Sequence, residues 1–347
     1  MSGKKKKNTI FSDPIYGFIT MPDSLILKLI DHTWFQRLRR IKQLGLTHLV
    51  YPGAHHTRFH HAIGAMHLVG KAVEILRSKG HNITDDEALG VKIAILLHDI
   101  GHGPYSHTLE HSIVKGISHE DISVLMMRHL NREFDGALSL AIKIFTDRYK
   151  KRFLHHLVSS QLDMDRLDYL MRDGFFSGVA EGEISSDRII ETLNVVGDEL
   201  AIEAKGIYSV ESFIIARRLM YWQVYLHKTV ISAEHLLINI LSRAKELASE
   251  GVDMFCTPGL RYFLYGQYTK KMFRDNKEVL QRFASLDDYD VMASVKVWME
   301  HPDPVLSRLS GWLVKRNLYK IEMREKPFSI RETEQLQQSV SAEAEQG

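Results

Sequence analysis

The sequence predicts a mostly α protein: a helical bundle with one small β-hairpin and further helices towards the C-terminus. Three observations carry this. Prolines at 14, 22, 52 and 104 are followed by none until Pro258. Apolar residues recur at three- and four-residue spacing over most of that proline-free stretch. Helix-starting side chains precede the apolar runs, Asp23-Ser24 before Leu25 to Ile30 and Thr84-Asp85 before Ala88, Val91, Ala94 and Ile95.

Taken in order, residues 1–9 hold Lys4, Lys5, Lys6 and Lys7 and read as a basic, flexible terminus. Helical patterns then occupy roughly 34–45, 60–79, 119–131, 137–147, 151–171, 187–194, 208–250 and 286–315. Between Asn194 and Ala204, Val195-Val196 and Leu200-Ala201-Ile202 flank Gly197-Asp198 as a hairpin. Asn317 to Ile321 is a second candidate for extended chain. No Gly/Ser-rich linker interrupts 10–325, so 10–250 reads as one core and 251–326 as a helical extension packed on it. Residues 327–347, rich in Glu, Gln, Ser and Ala, read as a polar tail, mobile or helical only when docked on a partner.

Composition narrows the function. With 347 residues, 44% hydrophobic and 25% charged, the chain can bury a sizeable core. The single cysteine, Cys256, excludes an internal disulfide or a thiolate cluster and points to a reducing cytoplasm. The net charge of +2 is owed to the four lysines, so the body is slightly acidic and nucleic acid is not the expected partner. No apolar stretch is long enough to span a membrane.

Nineteen histidines are the abnormal feature, and they crowd between His55 and His129. Histidine is the commonest metal ligand and the side chain best suited to proton transfer near neutrality. His98-Asp99 closes the apolar run Ile93 to Leu97 and is followed by Ile100-Gly101-His102-Gly103-Pro104. Two titratable groups at the end of a buried helix require compensation, which a metal ion would supply. His61 lies upstream at the start of a helix, and Asp165 downstream in Asp163-Met164-Asp165-Arg166-Leu167-Asp168-Tyr169. Two imidazoles and two carboxylates form a mixed set suited to one divalent ion, Fe, Mn, Zn, Ni or Mg. The alternative is a buried polar network without metal.

This order of His, His-Asp and Asp on successive helices resembles the HD-domain metal phosphohydrolases. Longer stretches, including Asp13 to Gly17, Phe35 to Gly45, Tyr51 to Ala54, Gly101 to His107 and Asp163 to Asp173, resemble the deoxynucleoside triphosphate triphosphohydrolase branch over residues 10–250. The resemblance implies that His61, His98, Asp99 and Asp165 hold the metal. It also implies that His102, His107, Glu110 and His119 serve catalysis at the α-phosphorus, with release of deoxynucleoside and tripolyphosphate. Vertebrate members have aspartate where Glu110 stands. Ser118 and Glu120-Asp121 also make His119 readable as part of a plain helix start.

By the same resemblance Arg58, Arg166 and Arg217 would meet the substrate phosphates. Gln43, Tyr169, Asp173 and Tyr225 would hold the sugar and base, a tyrosine against C2′ excluding ribose. Vertebrate members have lysine in place of Arg166. Arg217 and Tyr225, two turns apart, should share a helix face, although Arg217-Arg218 also reads as a solvated face. Asp31, Gln36 and Arg39 match residues that bind an activating guanine nucleotide between subunits, or else form a plain salt bridge of Asp31 with Arg39. Val50-Tyr51 and His227-Lys228 resemble part of a second activator site. The expectation is therefore a dNTP hydrolase, activated by GTP or a dNTP and assembled as a dimer or tetramer. The other readings are an HD phosphohydrolase acting on nucleoside monophosphates or cyclic nucleotides, and a nucleotide-sensing module whose catalysis is vestigial.

Overall fold

The computed structural model describes residues 9–21, 23–105, 116–182, 184–324 and 326–346, of the last six the backbone only. Asp13 closes a first hairpin of β1 (Ile10–Asp13) and β2 (Gly17–Thr20), with Ile10 opposite Thr20. Next come α1 (Ser24–Asp31), α2 (Thr33–Gln36), α3 (Arg58–Ser78), α4 (Asp85–Leu97), α5 (His119–Glu133) and α6 (Ser139–Phe145). Then follow α7 (Arg152–His156), α8 (Met164–Ser177) and α9 (Ser186–Glu191). The second hairpin pairs β3 (Leu193–Val196) with β4 (Glu199–Ile202), as its turn residues imply. The chain continues through α10 (Ile207–Met220), α11 (Lys228–Ser249), α12 (Pro258–Tyr265), α13 (Lys270–Asp275) and α14 (Lys277–Phe283). It ends with α15 (Asp288–Trp298), α16 (Pro304–Val314) and α17 (Ile330–Gln346). The class is mostly α, as the periodicity requires.

Local chemistry starts the helices that matter. Asp23 accepts from the Leu25 N–H to cap α1, Thr84 and Glu87 form a reciprocal capping box on α4, and Asp163 accepts from the Arg166 N–H to start α8. Helix α3 is the hub. It is buried around most of its circumference, from Phe59 through Leu76, and packs on both α4 and α8.

Several predicted helices are interrupted, each for a local reason. The stretch 208–250 is broken by a π-helical turn at Tyr221–Tyr225, after which His227 caps α11 by accepting from the Thr229 N–H at 3.2 Å. The stretch 286–315 stops at Trp298 because Pro302 and Pro304 cannot continue a helix. The stretch 151–171 breaks between α7 and α8, where the Asp163 side chain also accepts from the Ser160 N–H. The stretch 34–45 contracts to α2 and a 3₁₀ turn at Arg37–Arg40, and 187–194 gives way to β3 at Leu193. Asn317 to Ile321 forms no strand, the β1–β2 hairpin was not anticipated, and the polar tail contains α17. The Lys4 to Lys7 run lies outside the described residues. Among the described residues no helix is long and apolar enough to cross a membrane.

One buried cation ties the C-terminal helices to the rest. Arg37 is fully buried and donates to the Ile100 carbonyl at 2.7 Å and to the Leu286 carbonyl at 3.0 Å. Burial lowers its pKa to about 10, the Asp287 charge opposing. Arg37→Leu leaves both carbonyls without their donor and should cost about 2–5 kcal/mol of stability in urea unfolding; a loss below about 0.5 kcal/mol would contradict this assignment.

Candidate metal centre and adjoining cavity

Three helices bring four predicted ligands together. His61 lies in the first turn of α3, His98 caps α4 with Asp99 next to it, and Asp165 is the second residue of α8. His61 Nε2 is 3.3 Å from His98 Nε2, 3.0 Å from Asp165 Oδ1 and 3.9 Å from Asp99 Oδ2. His98 Nε2 is 3.3 Å from Asp99 Oδ1 and 3.5 Å from Asp165 Oδ1.

Both imidazoles are held with Nε2 turned into the cluster. His61 Nδ1 lies 2.8 Å from Asp168 Oδ2. Arg172 donates to both Asp168 oxygens at 2.9 Å, and to Asp13 at 2.8 Å. His98 Nδ1 donates to the Ile95 carbonyl at 2.5 Å. Outer partners of this kind select the tautomer and aim the ligand nitrogen. The packing leaves no room for a side chain at Gly64, whose Cβ would lie 2.0 Å from Asp168 and 2.2 Å from Arg172.

The electrostatics call for a cation. Burial alone would lower the His61 pKa, yet hydrogen bonds to Asp165 and Asp168 lift it to about 10. His98 is likewise raised, the Asp99 charge and the Asp165 hydrogen bond overriding burial. Burial works against ionised Asp165 and Asp99, but the facing histidines hold both well below the usual carboxylate range. A nitrogen and oxygen donor set that otherwise has to recruit a proton fits a divalent ion, and His61, His98 and Asp99 have ligand atoms within 4.8 Å of one another.

Beside the cluster, His102 Nε2 lies 3.1 Å from Asp99 Oδ1 and its ring stacks on His119, centroids 3.8 Å apart. Burial and the Arg58 charge hold the His102 pKa well below its ordinary value. The stack depends on Gly101, where a Cβ would meet the His119 carbonyl and the Ser123 N–H at 2.3 Å. Ser123 locks the approach, accepting from the Gly101 N–H and donating to the His98 carbonyl. His107 and Glu110 lie outside the described residues.

A cavity of about 410 Å³ adjoins the cluster, lined by Gln43, Arg58, Tyr169, Asp173 and Tyr225 among others. Arg58 joins the two by donating to Asp99 Oδ2 at 2.5 Å. Asp173 accepts from the Tyr225 hydroxyl at 2.8 Å and meets His56 Nε2 at 2.7 Å. Tyr169 and Tyr225 meet edge to face at 6.2 Å. Arg166 lines a different cavity, with His155 and Ser160, and pairs with Asp163. Arg217 lies 5.9 Å from the Tyr221 ring and does not line the 410 Å³ cavity. A π-helical turn separates Arg217 from Tyr225, yet the Tyr221 ring beneath Arg217 meets Tyr225 at 5.1 Å and lines that cavity. Arg39 donates to Gln36 Oε1 at 2.8 Å, lies over the Phe59 ring at 3.6 Å and feels the Asp31 charge, so that trio does converge on the surface.

Sequence reasoning missed Asp168, Arg172, Asp13 and His56 as supports of the site. The available signal was spacing: Asp165, Asp168 and Arg172 recur at three and four residues along one helix.

The comparisons agree with this geometry. The HD domain family model matches residues 58–173 and the HD associated region matches 184–254. The chain belongs to the HD-domain family, whose members are metal-dependent phosphohydrolases. Among solved structures, a phosphohydrolase from Bacteroides thetaiotaomicron superposes with a TM-score of 0.94 at 53% identity, covering 97% of this chain and 84% of that one. The uncharacterized protein YwfO of Bacillus subtilis is 34% identical, covering 92% of this chain and 73% of its own length. The deoxynucleoside triphosphate triphosphohydrolase SAMHD1 homolog of Dictyostelium discoideum is 33% identical over 70% of this chain, which spans 50% of that protein.

Asp168→Asn weakens the acceptor that aims His61 and should lower divalent-metal affinity by about 10–100-fold, measured by competition with a chelating dye. Asp165→Ala should reduce bound metal further in elemental analysis. Wild-type metal content and affinity in both variants would remove Asp165 and Asp168 from the centre.

Proposed function

We propose that this protein is a metal-dependent hydrolase of deoxynucleoside triphosphates that releases deoxynucleoside and tripolyphosphate. The observation that carries the reading is the junction of two parts: a nucleoside-sized cavity lined by Gln43, Tyr169, Asp173 and Tyr225 meets the ligand cluster through Arg58. The name of the Dictyostelium relative supports it.

A divalent ion held by His61, His98, Asp99 and Asp165 supplies Lewis acidity towards a phosphoryl oxygen and towards water. In the reaction, water oxygen bonds to the α-phosphorus, the bond from phosphorus to the 5′-oxygen breaks, and the 5′-oxygen takes up a proton. The His102–His119 stack stands beside Asp99 and is our candidate for moving that proton, together with His107 and Glu110. Arg58 sets a fixed positive charge where the polyphosphate enters, and Arg166 and Arg217 stay candidates for its outer part. The buried Gln43 Oε1 has no partner and is available to a sugar hydroxyl. The Tyr169–Tyr225 pair forms a wall against which a 2′-hydroxyl would clash.

The test is hydrolysis of the four dNTPs with Mn, Mg or Fe, products resolved by phosphorus NMR. Tripolyphosphate should appear, disappear on chelation and return with metal. Release of orthophosphate or pyrophosphate alone, turnover only of nucleoside monophosphates or cyclic nucleotides, or binding without turnover would refute the reading.

We also propose that a second copy docks on α10 and that a guanine nucleotide, GTP foremost, activates the assembly at Asp31, Gln36 and Arg39. Tyr208, Ile214, Ile215 and Trp222 are 78%, 58%, 59% and 62% exposed. Glu211 and Arg218 flank Ile214 and Ile215, about 10 Å apart along the axis and too far to pair within one helix. A copy packed antiparallel about Ile214 and Ile215 brings each Glu211 against the other's Arg218, a self-complementary contact. Glu211→Arg should therefore shift the protein to monomer in sedimentation, and the double exchange Glu211→Arg with Arg218→Glu should restore the dimer. A monomeric wild type would refute this surface.

A further inference from the structure

The cavity beside the cluster contains one carboxylate that no other described residue engages. Glu234, in the second turn of α11, lines it and has neither a hydrogen bond nor an ion pair among the described residues. The other charged lining groups are engaged: Asp173 by His56 and Tyr225, Arg58 by Asp99, and Lys42 by the His48 ring at 3.4 Å. Burial without a partner lifts the Glu234 carboxyl to about 7. Gln43 Oε1 is likewise buried and unpartnered. Glu234 belongs to the wall formed by residues 44–46, where a side chain at Gly45 would come 4.0 Å from one of its oxygens.

Division of the cavity assigns this wall to the base. Arg58 marks the phosphate side, and Tyr169, Asp173 and Tyr225 form the sugar side. What remains is the apolar surface of Leu44, Leu46 and Val230, suited to the flat face of a ring, with Glu234 among them to meet the ring's edge.

Building on the dNTP reading, we propose that Glu234 is a specificity-determining residue that selects guanine through its adjacent N1–H and 2-amino donors. Two carboxylate oxygens match two parallel N–H donors, a charge-assisted fork. Thymine offers one N–H between two carbonyl oxygens, which the carboxylate repels. Adenine and cytosine offer a donor beside an acceptor and fill only half of the fork. A base that leaves a buried acceptor unpaired is rejected more strongly than one that merely fits loosely.

The experiment measures kcat/KM at pH 8, where Glu234 is ionised, for dGTP, dITP, dATP, dCTP and dTTP with wild type and Glu234→Gln. Deoxyinosine triphosphate lacks only the 2-amino group. Wild type should favour dGTP over dITP and over dTTP by roughly tenfold or more, and Glu234→Gln should collapse both ratios towards one. The comparison of dGTP with dITP on wild type needs no variant, so it decides even if Glu234→Gln fails to fold. Equal use of dGTP and dITP by wild type, a preference for dATP or dCTP, or ratios unchanged in Glu234→Gln would overturn the role of Glu234 while leaving dNTP hydrolysis standing. Absence of turnover with every dNTP would instead overturn the underlying function.

Discussion

The site depends on a buried chain of charge, Asp13 to Arg172 to Asp168 to His61. All four side chains are almost fully removed from solvent, which is tolerable only because every charge is paired and hydrogen-bonded. The arrangement holds Asp168 ionised, its pKa drawn down to about 2 by Arg172 and His61 against the effect of burial. An ionised Asp168 keeps a proton on His61 Nδ1 and leaves Nε2 for the cluster. Loss of any member strands a buried charge, so the chain couples folding of the β1–β2 hairpin to the aim of a ligand far from it in sequence.

The scaffold around that chain explains why the ligands sit at helix ends. A helix interior spends its backbone groups on itself, whereas at the end of α4 the Ile95 carbonyl holds only a long 3.4 Å bond from the His98 N–H and the His98 carbonyl lies beyond the helix. One of these orients the His98 ring and the other accepts from Ser123. The Ser123 bond in turn seats the start of α5, which delivers His119 onto His102. Arg37 then binds the carbonyl of Ile100, directly after Asp99, to Leu286 ahead of α15. The loop carrying Asp99 is thus held from α5 and from the C-terminal helices, the rigidity that a preorganised centre needs.

The parts legible in the sequence were those encoded by short-range pattern. Apolar periodicity and caps placed α3, α4 and α5, and the turn residues placed the β3–β4 hairpin. Spacing on successive helices brought out His61, His98, Asp99 and Asp165, which the fold brings together. The break before α16 was missed, although Pro302 and Pro304 mark it. The rest depends on contacts that are distant in the chain. Asp168 resembles any surface acid three residues from another until Arg172 and Asp13 enclose it, and Asp13 comes from a hairpin whose four-residue strands leave almost no periodic signal. The π-helical turn could not be read from residues 221–225 alone, because Tyr225 is held there by Asp173 on α8 and the chain after it by the His227 cap.

Arg58 joins the cavity to the ligand cluster. Its guanidinium is buried, contacts Asp99 and also lines the cavity, and its Nε has no partner. Asp99 therefore faces His98 and His102 on one side and a permanent cation on the other, which keeps it anionic and limits the negative charge it presents to an incoming phosphate. Burial and the same cation hold the His102 pKa well below its ordinary value beside the ligand cluster. A lysine in its place could lose its proton under such burial, whereas a guanidinium does not. One side chain thus sets the charge of a ligand, the protonation of its neighbour and the electrostatic pull of the cavity mouth, so these three properties cannot be varied independently in this fold.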